Sequence, residues 1–275
     1  MKIISLCLTL FLVLVAKVNA ADIFLDTFFD LDNVSTLPTI FIRGEIVRGD
    51  YEKLINVVKK HGSIPSTIFV DSVGGDVIEA MKIGRFARKA LLTTGEPTAK
   101  RKCQNGCVCY SACMFIYLAC VNRTFVSLFG EKVSYAIHRP YFDRSYFSGL
   151  SMKKAELKYK ELENSVKTYL EEMNVPQSII ERMFSIPSDR MEVLTGYQII
   201  EIMKTSPPAY EEWLLAKCGN LTPDEGRDSL KIAIKEKHNF SPGYVKYLQD
   251  KMEKLVKCRV KAREEVRKEV FRSLK

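Results

Sequence analysis

The chain has 275 residues, 47% of them hydrophobic and 27% charged, with a formal net charge of +9. That is enough for one sizeable core, or a core plus an appendage. Only one apolar run is long, which excludes a protein of several membrane spans.

That run opens the chain. Lys2 supplies a positive start, residues 3–16 are almost wholly apolar, and Val18-Asn19-Ala20 offers the small residues a signal peptidase cuts behind. Residues 1–20 read as a signal peptide cleaved after Ala20. The run falls short of the about 20 residues that a span needs; an uncleaved anchor is the alternative. The expected localisation is exported, periplasmic or secreted. Asn33, Asn122, Asn220 and Asn239 each begin an Asn-x-Ser/Thr sequon, which matters only in a eukaryotic secretory pathway.

Loss of Cys7 with the leader leaves Cys103, Cys107, Cys109, Cys113, Cys120, Cys218 and Cys258. An odd set in an exported chain requires a free or intermolecular thiol. The cluster from Cys103 to Cys113 has no nearby histidine and no zinc spacing, so no metal is expected there. Cys107-x-Cys109 lacks the Cys-x-x-Cys redox spacing.

Residues 21–37 read as a lead-in, Thr39–Ile46 as a strand, and Asp50 as the cap of a helix over residues 51–61 with Leu54, Ile55, Val57 and Val58 inward. Thr67–Val70 reads as a short buried strand. Gly74-Gly75 follows, then a helix to about Lys89. Leu91–Thr94 reads as a strand, the cysteines as a loop, Ser111 as the start of a buried helix, and 124–128 and 133–137 as strands. Strand-helix alternation of this kind predicts an α/β domain. An aromatic loop (141–150) and helices over 151–173, 179–184 and 197–203 come next, the last capped by Thr195. Pro207-Pro208 then breaks the chain, and a charged helical tail follows over 210–217, 228–237 and from Pro242 onward. The division is 1–20, 21–205 and 206–275, the last a helical, basic C-terminal extension.

Three stretches carry chemistry. A serine hydroxyl needs a base within hydrogen-bond reach and donors where an oxyanion forms. Ser111 lies in Cys109-Tyr110-Ser111-Ala112-Cys113 ahead of an apolar run, so the Ala112 amide at a helix start is one donor. Gly75, in Val70-Asp71-Ser72-Val73-Gly74-Gly75, can supply a second amide with no side chain in the way. His138, ending Ser134-Tyr135-Ala136-Ile137, can be the base. Each feature alone is commonly structural; their order on these element types is the signal.

Strand-Ser-x-Gly-Gly, a helix-starting serine among small residues, and strand-His-x-Pro together resemble the Clp protease proteolytic subunit. The closer resemblance is to exported bacterial ClpP-like proteins with the serine framed as Cys-x-Ser-Ala-Cys, over roughly residues 38–205. The resemblance implies a ClpP/crotonase-like spiral of β-β-α units. It implies Ser111 as nucleophile, His138 as base, Asp189 as acid and the Gly75 and Ala112 amides as oxyanion hole. Asp143 is the fallback acid. Val73 stands where the Clp subunit has proline, and Asp189 lies further from Thr195 than in the Clp pattern. The expectation is an exported serine hydrolase, a peptidase acting on peptide or protein, with no cofactor and no bound metal. The alternative is a non-catalytic binding or assembly module of the same fold. A homo-oligomer is compatible with either. Lys and Arg of the tail are interleaved with Glu253, Glu264, Glu265 and Glu269, a solvated helix face; no nucleic-acid partner is expected, while contact of the basic tail with a membrane surface stays open.

Cys109 and Cys113 can bridge only if Cys109 lies outside the helix, since i,i+4 Cβ atoms sit about 5–6 Å apart; packed thiols are the favoured expectation. In the tail, Leu248, Met252, Leu255 and Val256 are expected to pack, Lys251, Lys254, Lys257 and Lys261 to be solvated, and Cys218 to pair with Cys258.

Overall fold

A computed structural model describes residues 20–29, 36–94, 103, 107–123, 133–142, 144–204, 206–234 and 239–275. The signal-peptide reading of 1–19, the strand expected over 124–128 and Asp143 lie outside them.

The described chain is mixed α/β. A sheet of order β1-β2-β3-β4 is built from β1 (Asp22–Phe29), β2 (Thr36–Arg43), β3 (Thr67–Asp71) and β4 (Thr93–Thr94). β1 runs antiparallel to β2, whereas β2, β3 and β4 are parallel. The helices α1 (Asp50–His61) and α2 (Val77–Lys89) make the crossovers. A second sheet, order β5-β6-β7, holds β5 (Val108–Tyr110), β6 (Ser134–Ile137) and β7 (Glu192–Val193). The short helix α3 (Cys113–Ala119) follows β5. Then come α4 (Arg144–Phe147), α5 (Met152–Glu172), α6 (Gln177–Ser185), α7 (Gly196–Met203), α8 (Pro208–Cys218), α9 (Pro223–Ala233) and α10 (Pro242–Arg272).

β1 was expected to be lead-in. It forms because Ile23 enters the core while Phe24 stacks on Phe41 of β2, ring centroids 5.2 Å apart. Asp50 is not the cap of α1. Gly49 takes that place in a left-handed conformation, and the Asp50 carboxylate turns back to accept from the Val47 amide at 2.8 Å. The aromatic stretch 141–150 contains the single turn α4.

Every side chain of α3 is buried, each large apolar one contributing about 1.5–3 kcal/mol. Tyr169 of α5 donates to the Phe115 carbonyl at 2.6 Å. Just past α3, buried Arg123 donates to carbonyls of Leu118, Met173 and Ile202, joining α3, the end of α5 and α7. Burial holds its guanidinium down to about 10. Cys120 is the free cysteine among the described residues. It is fully buried, and burial pushes its thiol up to about 12, so it is an inert core residue.

Cys218 and Cys258 pair, as expected, joining α8 to α10. Cys103 pairs with Cys107 and Cys109 with Cys113. The last pairing corrects the expectation of packed thiols, and for the geometric reason stated: Cys109 lies on β5, while α3 begins at Cys113. The packing stripe of α10 also differs. Leu248 is buried, but Met252 and Val256 are exposed, and Val245, Ala262, Arg267 and Val270 face inward. Lys251 is only partly solvated: it pairs with Glu225 of α9 at 2.7 Å. Tyr210, Leu214, Ala262 and Val121 make a small cluster, whereas Val270 belongs to the main core. Among the described residues no helix is long and apolar enough to cross a membrane.

Candidate active site

The site forms where β3 and β5 end side by side. β3 stops at Asp71, whose buried carboxylate accepts the Val108 amide at 3.0 Å. Ser72 then bridges Cys109: its amide donates to the Val108 carbonyl at 2.8 Å, and the Tyr110 amide donates to its carbonyl at 3.0 Å. The Ser72 hydroxyl takes the Gly74 amide at 3.1 Å, which folds the glycine pair back over the strand end.

Gly75 lies beside Ile46. The Ile46 amide donates to the Gly74 carbonyl at 2.8 Å, and the Asp76 amide to the Ile46 carbonyl at 2.7 Å. In a parallel bridge the residue between two such bonds turns its own N–H to the far side. Among the described residues the Gly75 amide has no hydrogen-bond partner. Only glycine fits: φ is 131°, and a Cβ would stand 2.0 Å from the Ile46 carbonyl oxygen. At Gly74 a Cβ would stand 2.8 Å from the Ser111 Cβ and 3.0 Å from the Ala112 nitrogen. The glycine pair thus packs directly on the serine turn.

Ser111 links β5 to α3 at φ 53°, a left-handed conformation rare outside glycine. Its amide donates to the Ala136 carbonyl of β6 at 2.9 Å, and its carbonyl receives the Met114 amide at 3.0 Å. The Cys109–Cys113 bridge closes around this turn, Cα atoms 5.2 Å apart. The tension is held by a strand, a helix, a disulfide and a glycine contact at once. Like the Gly75 amide, the Ala112 amide has no partner among the described residues.

β6 runs parallel to β5 in the register Tyr110 opposite Ala136, so His138 leaves β6 next to the Ser111–Ala112 turn. His138 is 8% exposed, and its Nδ1 lies 2.9 Å from the Arg139 carbonyl oxygen. A carbonyl only accepts, so this contact selects the tautomer with its proton on Nδ1 and leaves Nε2 as an acceptor. β7 pairs antiparallel to β6, and the Arg139 amide donates to the Ile186 carbonyl at 3.1 Å, which brings the loop 186–191 over the same end.

A cavity of about 590 Å³ joins these pieces; Gly74, Gly75, Ser111, His138 and Asp189 line it, with Val73, Ile78, Phe115, Tyr141 and Met191 as apolar wall. Four of the five expected site positions, Gly75, Ser111, His138 and Asp189, line this cavity, and the fifth, Ala112, adjoins Ser111. The structure does not join the triad by hydrogen bonds: among the described residues none links Ser111 to His138 or His138 to Asp189, and Asp189 is exposed. Sequence reasoning placed Ser72 and Gly74 in the Ser-x-Gly-Gly stretch but gave neither a role. The signal was present in the doubled glycine, since one glycine suffices for a turn and the second is needed where another backbone passes. Among the described residues no cluster of His, Cys, Asp or Glu could hold a metal ion.

No family model matches the chain, and no curated protein does. Solved structures similar to it include a ClpP1 mutant from Listeria monocytogenes, 18% identical, covering 60% of this chain and 86% of that one at a TM-score of 0.41. Another is a mutant of the 1510-N membrane-bound stomatin-specific protease, 16% identical, covering 66% and 83% at a TM-score of 0.38.

Proposed function

We propose that the chain is an exported serine peptidase with a ClpP-like spiral of β-β-α units over residues 21–205 and a helical extension over 206–275. The observation that carries the reading is the Ser111 turn, a strained serine between strand and helix with two unengaged amides, Gly75 and Ala112, beside it. In this reading Nε2 of His138 takes the Ser111 proton as Oγ attacks a peptide carbonyl, and the two amides receive the developing oxyanion. His138 then returns the proton to the leaving amine. The exposed apolar side chains Val73, Ile78, Tyr141 and Met191 around the cavity suit a peptide's side chains. Asp189 acts as the acid once substrate draws the 186–191 loop inward; until then the Arg139 carbonyl orients His138. Apo catalytic contacts are often loose in this way. Three disulfides suit an oxidising compartment. A homo-oligomer is compatible with this reading.

The second reading, a non-catalytic binding or assembly module of the same fold, draws on the missing hydrogen bonds between Ser111, His138 and Asp189. Labelling of the full chain with a fluorophosphonate probe separates the two. The peptidase reading expects labelling that vanishes in Ser111→Ala and falls about 10³-fold or more in His138→Ala. Folded wild type that takes no label would leave only the module.

A further inference from the structure

Opposite the Ser111 site, at the starting ends of the same parallel strands, lies a second cavity of about 720 Å³. One wall is the turn after α1 and the start of β3, with Ser63, Ser66 and Thr67; the other is the last third of α10. Arg263, Arg267, Lys268, Phe271, Arg272 and Lys275 recur there every three to four residues, so one helix face presents a line of cations to the cavity. Lys268 is matched by Glu264 at 2.7 Å. Among the described residues Arg263, Arg267, Arg272 and Lys275 have no carboxylate partner.

Arg267 is the informative member. It is only 9% exposed, lines the cavity, and makes no hydrogen bond to any described residue. Burial first, and then the like charge of Arg263, hold its guanidinium below the ordinary arginine range, against the pull of the Glu264 carboxylate that also lines the cavity. No Arg267 nitrogen is sealed from solvent, so the guanidinium opens into the cavity beside that of Arg263, where the two like charges repel. Among the described residues the one carboxylate in the lining, Glu264, is taken by Lys268, so an anion in the cavity would balance the remaining cations.

We infer that this cavity binds a phosphorylated small molecule of at least two negative charges, with Arg267 and Arg263 as its principal anchors and Arg272 and Lys275 completing the cationic wall. Guanidinium forks match phosphate oxygens two at a time. The serine and threonine hydroxyls opposite can donate to the same oxygens. Pro38, Ile64, Pro65 and Val260 leave an apolar wall for an organic body, and the volume falls in the range of small-molecule sites. The distance from Thr67 to Asp71, about 3.3 Å per residue, separates this site from the serine turn by a full strand length. Its ligand is therefore no part of the peptidase substrate. It would tie α10 to the core and raise the stability of the bound form.

The test uses the full chain and inorganic pyrophosphate, followed by calorimetry and thermal melting. Saturable binding is expected, with a raised melting temperature. Arg267→Gln and Arg263→Gln should each weaken it about tenfold or more, as loss of a charge-assisted anchor does. Lys261→Gln, on the outer face, should change nothing. If Arg267→Gln does not fold, Arg263→Gln and Arg272→Gln carry the test, since both side chains are more open. Absence of binding, equal weakening by Lys261→Gln, or equal affinity for charge-matched citrate would overturn the assignment. Vesicles of phosphatidylcholine with and without phosphatidic acid distinguish a lipid headgroup from a free phosphate. Binding to the acidic vesicles that pyrophosphate does not displace would also overturn it.

Discussion

The end of the molecule that carries Ser111 and the tail that carries α8 to α10 are held by opposite means. Around Ser111 the backbone itself is the scaffold: strands β3, β5 and β6 meet edge to edge, Gly74 and Gly75 touch neighbouring main chain, and the bridge Cys109–Cys113 spans a separation of only 4 residues. The tail rests on side chains and one long crosslink. Cys218–Cys258 spans 40 residues, Lys251 meets Glu225, and Tyr244 donates to Asp228. A backbone-built region tolerates almost no added atom, but it holds a strained turn in place. A side-chain-built region tolerates substitution, but depends on redox state and pH.

The largest contrast should come from one substitution made in both regions. In Gly75→Ala the new methyl would fall 2.0 Å from the Ile46 carbonyl oxygen, at a φ of 131°. The loop must shift and carry the Gly75 amide with it. With that amide as the proposed oxyanion donor, its loss should lower the rate of labelling by the fluorophosphonate probe by about 10²–10³-fold. Gly226 in α9 has nothing within 4 Å of its absent Cβ. Gly226→Ala should therefore raise stability by about 0.5–1 kcal/mol and leave labelling unchanged. Wild-type labelling in Gly75→Ala would remove that amide from the site.

The crosslinks offer the next contrast. In the chain-entropy model a loop closed over 40 residues contributes about 4 kcal/mol and one closed over 4 about 2 kcal/mol. Cys218→Ser with Cys258→Ser should lower stability by about the larger amount, visible in denaturant melts, with labelling retained. Cys109→Ser with Cys113→Ser should cost less stability but reduce labelling, because that bridge encloses the Ser111 turn. Equal labelling in both double variants would show that the Ser111 turn is held without its disulfide.

Much of the serine end was legible because its signals are local. A strand, a doubled glycine and a serine before an apolar run each occupy few residues, and their register follows once the strands pair. What stayed hidden depends on distant partners. Residues 21–37, with their Asp and Asn, read as a lead-in, yet Phe24 finds Phe41 across the sheet. The packing stripe on α10 was misread because its 31 residues meet different surfaces in turn: α9 near Val245 and Leu248, α8 near Ala262, then the main core at Val270. No single helical period fits all three. Asp189 reached the cavity, but its relation to His138 depends on a loop whose position only β7 and Ile186 define. Arg267 read as one more solvated charge, since nothing in its neighbours announces burial.

The subtlest contrast is in acid, where the two regions respond with opposite signs. Glu225 of α9 is held down to about 2, first by the Lys251 ammonium, then by the Thr222 amide and the Tyr247 hydroxyl. Its folded value lies below the 4.5 of an ordinary glutamate, so its contribution is fully present above 4.5 and is lost as pH falls through about 2. Asp50, buried at the head of α1, is raised above its ordinary 3.8 chiefly by burial. Its contribution is full below 3.8 and shrinks as pH rises through its folded value, the reverse of Glu225. Acid should therefore loosen the α9–α10 contact before it loosens the sheet around α1. Hydrogen exchange followed by mass spectrometry from neutral pH to about 2 should show protection falling first in α9 and the facing part of α10. In Glu225→Gln the tail's protection should already be low at neutral pH and should change little on acidification. If the variant keeps the wild-type acid response, some other group controls the tail; if α1 opens before α9, Asp50 is not the protected carboxyl that its burial implies.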